Sequence, residues 1–175
     1  MKRTFWIPMM ASALLASPAH AEKLTFDYRI YPPLEQVLNS GRNEMVSFND
    51  RNPRYVTDRI AIQGTSAESW TEALDIIARS KARKMSSPAD WAREIQQSAR
   101  ARCASEFTNV AEDANSLTFV RRSTNCPPGT AQTGLYRIVA GRTSLFLLNA
   151  IAMGEMAEPV RQKWLELLAS AHLSS

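Results

Sequence analysis

The chain has 175 residues, 21 basic and 17 acidic side chains, a formal net charge of +4 and 45% hydrophobic residues. That length suits one domain with a real core, and the charge is too weak a field to argue for nucleic acid. Two cysteines and two histidines leave few ligands for a metal and few nucleophiles.

The first segment, MKRTFWIPMMASALLASPAHA, has Lys2 and Arg3 before an apolar run from Thr4 to Ala16, then the small-x-small sequence Ala19-His20-Ala21. This predicts a cleavable signal peptide over residues 1–21, cut before Glu22. The run is shorter than a bilayer span, so no transmembrane anchor is expected in the mature chain. Cleavage leaves 19 basic against 17 acidic residues and a single histidine, His172. Residues 22–175 are then expected to form one domain, periplasmic or secreted.

LTFDYRIYPP alternates, with Leu24, Phe26, Tyr28 and Ile30 on one face, which predicts a strand ended by Pro32 and Pro33. LEQVLNSG reads as a short helical turn closed by Gly41. MVSFNDRNPRYVTDRIAIQG reads as two strands around NDRNP. TSAESWTEALDIIARSKARK stays open between two readings. Thr65 with Glu68 fits a capping box and Trp70, Ala73, Leu74 and Ile77 fit a helical stripe. Trp70, Glu72, Leu74, Ile76 and Ala78 alternate as a strand does.

SSPADWAREIQQSARARC predicts a helix capped by Ser87, with Pro88 at its first position and Asp90 in its first turn. Trp91, Ile95, Ala99 and Cys103 share its apolar face. Two strands joined at EDANS follow, then the loop CPPGTAQTG, then a strand pair turned at Gly141-Arg142 whose second half is apolar enough to be central in a sheet. AEPVRQKWLELLASAHL predicts a last helix with Val160, Trp164, Leu167, Leu168 and Ala171 buried. His172 is expected exposed in its last turn. The order points to an α+β class, an antiparallel sheet with two main helices packed on one side.

The pieces ESWTEALDII, a helix ending in Cys103, a strand ending in Cys126, and TGLYRIVAGRTSLFLL before the Trp164-x-x-x-Leu168 helix together resemble small exported bacterial proteins with a PsbP-like α+β domain. The resemblance covers roughly Tyr55 to His172. It implies that SWTEALDII is a strand and that the protein is a binding or assembly module; it implies no catalytic residues.

With one mature histidine and two distant cysteines, neither a nucleophile–imidazole pair nor a zinc site is expected. G-x-S-x-G and S-x-x-K are absent, as are Gly-rich phosphate loops. No cofactor and no metal is expected. Carboxylate chemistry needs no local motif, and Glu68 with Glu72, or Glu72 with Asp75, are the nearest pairs. Glu112-Asp113 reads as a polar hairpin turn rather than a carboxylate metal site. RSKARK offers Arg79, Lys81, Arg83 and Lys84 for contact with a partner, and Arg100, Arg102, Arg121 and Arg122 form a second basic patch if the cysteines pair. In an oxidising compartment Cys103 and Cys126 are expected to form a structural disulfide, about 3–3.5 kcal/mol for a loop of this length. The functional expectation is a non-enzymatic binding or assembly module of the cell envelope acting on an envelope protein. The alternatives are a small-ligand or lipid carrier and a carboxylate-dependent hydrolase.

Overall fold

The computed structural model describes residues 22–49, 51 and 55–174. The expected signal peptide, and most of the NDRNP turn, lie outside these residues.

The chain begins with β1 (Lys23–Thr25) and a 3-10 turn over Tyr28–Ile30. The long strand expected over residues 24–30 does not form. The Asp27 carboxylate accepts a hydrogen bond from the Arg29 backbone N–H at 3.2 Å and bends the chain. Pro32 and Pro33 open α1 (Pro32–Asn39) rather than ending a strand, because the first helical turn has no use for their missing N–H. Then come β2 (Val46–Asn49), β3 (Tyr55–Gly64) and β4 (Trp70–Ser80).

β4 resolves the open segment as a strand. The would-be cap residues make a tight turn instead: Thr65 and Ser66 donate their N–H groups to the Ser69 carbonyl, and the Ser66 hydroxyl accepts from Glu68 and Ser69. Gly64 makes the turn possible, with φ of +133° and the Ser69 carbonyl oxygen 2.3 Å from where a Cβ would stand. β4 is hydrogen-bonded on both sides, so tertiary pairing overrides the helical stripe.

α2 (Pro88–Arg100) starts as expected. Ser87 Oγ accepts from the Asp90 N–H at 3.2 Å and Asp90 accepts from the Ser87 N–H at 3.0 Å. The bonds that its carboxyl accepts from Ser86 and Ser87 hold Asp90 down at about 2. A meander follows: β5 (Ala104–Glu112), β6 (Ser116–Thr124), β7 (Thr133–Ala140) and β8 (Ser144–Ala152). α3 (Glu158–Ala169) and β9 (His172–Ser174) end the fold.

Seven strands make one antiparallel sheet in the order β2-β3-β4-β8-β7-β6-β5, and β1 pairs with β9 separately. β8 is central, as its apolar run predicts. Its odd-numbered residues Leu145 and Leu147 face one core and its even-numbered Leu148 and Ala150 face the other. A strand apolar on both faces must be covered twice. The helices therefore do not lie on one side: α2 covers one face and α1 with α3 cover the other. The α3 core holds Trp164, Leu167, Leu168, Leu34, Leu74 and Leu148; the α2 core holds Trp91, Phe119, Tyr136, Ile138, Leu145 and Leu147.

His172 also departs from expectation. α3 stops at Ala169, and His172 begins β9 opposite Thr25. Its Nδ1 donates to the Ser170 carbonyl at 2.9 Å and its Nε2 lies 3.0 Å from Thr25 Oγ1. It is exposed, as expected, and bonds the C-cap carbonyl of α3, but it lies in β9 and fastens that strand to β1. Among the described residues no helix is long and apolar enough to cross a membrane.

Candidate functional site

Strand register builds the site. Arg59, Asp75, Asn149, Tyr136 and Phe119 stand directly opposite one another on β3, β4, β8, β7 and β6. They form a mostly polar row across the α2 face. The row on one side is apolar: Ile77, Leu147, Ile138 and Leu117. The row on the other side sets the small Ala73 and Gly134 on either side of Ile151 and ends in Arg121. Over the polar and small rows a cleft of about 460 Å³ opens, roofed by α2 and by the loop through Gly129, Thr130 and Ala131.

Each acid in the cleft is already engaged. Asp75 is buried and accepts from Arg59 Nε at 2.7 Å and Nη2 at 2.9 Å, a two-point clamp. The Arg59 guanidinium lies 5.0 Å from the Trp70 ring. Glu94 on α2 accepts from Arg79 Nη1 at 2.9 Å, and Arg79 lies 5.2 Å from the Trp91 ring.

The cations are not balanced in the same way. Arg121 is only 9% exposed. Its Nη2 donates to the Ala131 carbonyl at 2.8 Å, and its guanidinium lies 5.9 Å from the Tyr136 ring. Its Nε is buried with no partner, and among the described residues no carboxylate forms an ion pair with it. Asn149 Oδ1 is likewise buried without a partner. Arg102, exposed at the rim, donates to Ser98 Oγ at 2.7 Å. Burial pushes the Tyr136 phenol up, partly offset by Arg121. The Tyr136 ring leans over Gly134, where a Cβ would stand 2.6 Å from the phenol oxygen; any other residue would displace the ring.

Cys103 and Cys126 form a disulfide with Cα atoms 4.7 Å apart. Cys103 lies three residues past α2 and Cys126 two residues past β6, so the two cysteines follow their elements rather than ending them. The bond joins the end of α2 to the loop that supplies the cleft wall. Asn125, beside it, takes the left-handed conformation at φ 55°, which Asn tolerates better than most residues.

The eight basic residues singled out from sequence do not make one surface. Arg79 is the clamp between β4 and α2. Lys81 follows it, and Arg83 and Lys84 are exposed in the turn before α2. Arg100 covers the Phe107 ring at 5.0 Å. Arg121 and Arg122 are adjacent in a strand and so point to opposite faces: Arg121 into the cleft, Arg122 toward the side of α3. The expected Arg100–Arg102 and Arg121–Arg122 patch is therefore split, and of the four only Arg102 and Arg121 line the cleft.

The proposed acid pairs do not converge. Glu72 and Asp75 lie three apart on β4 and face opposite cores. Glu72 accepts from Tyr31 Oη at 2.8 Å and Trp164 Nε1 at 2.6 Å, inside the α3 core. Glu68 is exposed in the turn before β4. Asp113 closes the β5–β6 turn by accepting from Asn115 and Ser116. Among the described residues no three Cys, His, Asp or Glu side chains gather as a metal site requires. Sequence reasoning missed Arg59, Asn149 and Tyr136. The available signal was a single polar residue inside an apolar strand: Asn149 in SLFLLNAIA and Asp75 in ALDII. No protein-family model, curated protein or solved structure matches the chain.

Proposed function

We propose that the protein is exported to the periplasm and there binds a small ligand in the cleft under α2 without catalysing a reaction. One observation carries this reading: Arg121 and Asn149 bury unsatisfied polar atoms in the same cleft of about 460 Å³. Buried polar groups are nearly always paired, and a pocket of this size with few convergent polar groups among aromatic walls is the usual form of a ligand site. The non-catalytic part is supported by the acids of the cleft, each held by an arginine, and by His172, which lies outside it. Export is supported by the leader sequence and by the disulfide. The PsbP-like resemblance stays a proposal on the residues given above.

Native mass spectrometry of protein prepared gently from periplasm tests the reading. A retained small mass that disappears in Arg121→Met supports it. An apo mass in every preparation, with nothing captured from periplasmic extract, counts against it.

A protein partner in the envelope is a second reading, favoured by β5. This nine-residue strand is one of the two sheet edges, among the described residues nothing pairs with its outer side, and Val110 is 49% exposed. In-cell crosslinking from positions on β5 tests it; no reproducible envelope partner would sink it.

A further inference from the structure

We propose that the ligand is a small organic monocarboxylate with a hydrogen-bond donor at the far end of a flat or apolar body: the carboxylate sits against Arg121 and the donor against Asn149. This rests on the cleft being a ligand site. An isolated charge in a protein interior is costly, so buried cations are matched by an anion, either from the protein or from something bound. Arg121 is buried and among the described residues no carboxylate pairs with it, because Asp75 belongs to Arg59 and Glu94 to Arg79. The missing negative charge is therefore the ligand's.

Local structure narrows the anion. α2 lines the cleft from Trp91 to Ala99, and its positively polarised first turn is already capped by Ser87 and Asp90 rather than offered to an anion. No Gly-rich loop supplies a nest of backbone N–H groups. One buried guanidinium with Arg102 at the rim suits a planar single charge better than a doubly charged phosphate. The other unsatisfied atom, Asn149 Oδ1, is an acceptor and needs a donor. β6 and β8 have β7 between them, so the two residues stand on strands about 10 Å apart. Side chains reaching inward from both leave room for roughly one aromatic ring between carboxylate and donor. Trp70, Trp91, Tyr55 and Tyr136 supply apolar faces for that ring.

Isothermal titration calorimetry of the mature, oxidised protein tests this with a panel of aryl and alkyl carboxylates, each with and without a distal hydroxyl. 4-Hydroxyphenylacetate and phenylacetate are the first pair, with 4-hydroxyphenethyl alcohol and inorganic phosphate as controls. The expected result is that a hydroxy acid binds, its deoxy partner binds about tenfold more weakly, and the alcohol and phosphate give no heat. Asn149→Leu should erase the difference between the two acids. Arg121→Met should lose both, and Arg121→Lys, which keeps the buried cation but not the planar fork, should weaken both at least about tenfold. An alcohol that binds as tightly as its acid, phosphate that displaces the acid, or a panel in which no carboxylate binds overturns the proposal. A retained ligand of another class, seen by native mass spectrometry, would overturn the carboxylate and leave the binding cleft standing. No retained ligand and no heat from any probe would overturn both.

Discussion

On the α3 side of the sheet, the buried carboxylate of Glu72 takes hydrogen bonds from Tyr31 and Trp164, whose rings lie 4.4 Å apart. Burial and that carboxylate together hold the Tyr31 phenol protonated, far above its ordinary range. On the α2 side, Arg121 is buried and Asn149 half-buried, and each has a buried polar atom left unsatisfied beside a cleft. Both faces are covered by helices, and both bury polar groups under an apolar roof. The difference is in completion around each cluster: Glu72 finds its partners within the fold, although Arg137 Nε, elsewhere on the same face, is buried without one. A buried polar group whose partners are all within the fold contributes to the fold, whereas one left open beside a void is stabilised by something that comes and goes.

If the α3 face is the structural one, damage there should cost most. Trp164→Ala removes a side chain that is 0% exposed and also one of the donors to Glu72. The expected loss is about 3–5 kcal/mol in urea denaturation. A loss under about 1 kcal/mol would remove the distinction between the faces. The disulfide comes next. Its 23-residue separation predicts about 3.5 kcal/mol in the chain-entropy model, read as the loss of stability in urea denaturation when Cys103 and Cys126 are both replaced by Ala. The same double variant should weaken ligand binding, because the bond holds the loop carrying Ala131 to α2. Thiol titration of unreduced protein should find no free sulfhydryl; two would refute the bond.

The parts of this fold that can be read from sequence are those set by neighbours in the chain. Ser87, Pro88 and Asp90 announce the start of α2 within four residues. The unbroken apolar run of β8 announces a central strand, and two cysteines behind an expected leader announce their bond. The same run also held the news that both faces need covering, since alternate residues are equally apolar, but periodicity alone does not say which helix goes where. Residues 70–80 could not be decided locally. Their helical stripe is real, and it takes pairing with β3 and with β8, some seventy residues later, to make them a strand. The cleft was hidden for the same reason. Arg59, Asp75, Asn149 and Tyr136 become one row solely through long-range register, so no spacing in the sequence links them. Arg102 and Arg121 were legible as basic residues near the disulfide; that one of them is buried and unpaired was not.

A smaller effect tests completion on the α3 side directly. Glu72→Leu keeps roughly the volume but orphans the Tyr31 hydroxyl and the Trp164 indole N–H. Leaving buried donors unpaired should cost about 2 kcal/mol, although the variant removes a buried charge. If Glu72→Leu were neutral in thermal and urea unfolding, the carboxylate would not be completing anything.

The counterpart on the α2 side should behave in the opposite sense, and it is the smallest change of the set. Asn149→Leu replaces a side chain of similar shape whose Oδ1 is already buried without a partner. No hydrogen bond to that oxygen is lost, the desolvation of an unpaired acceptor is relieved, and the new methyl groups lie against Tyr136 and the aromatic walls. Unfolding should therefore shift by no more than about 1 kcal/mol, toward greater stability. The same variant should lose the preference for a ligand donor. A protein that gains stability when a buried group is removed, and loses binding at the same time, was keeping that group for its ligand. If Asn149→Leu instead costs as much as Glu72→Leu, Asn149 has a partner within the fold, and the two faces are alike.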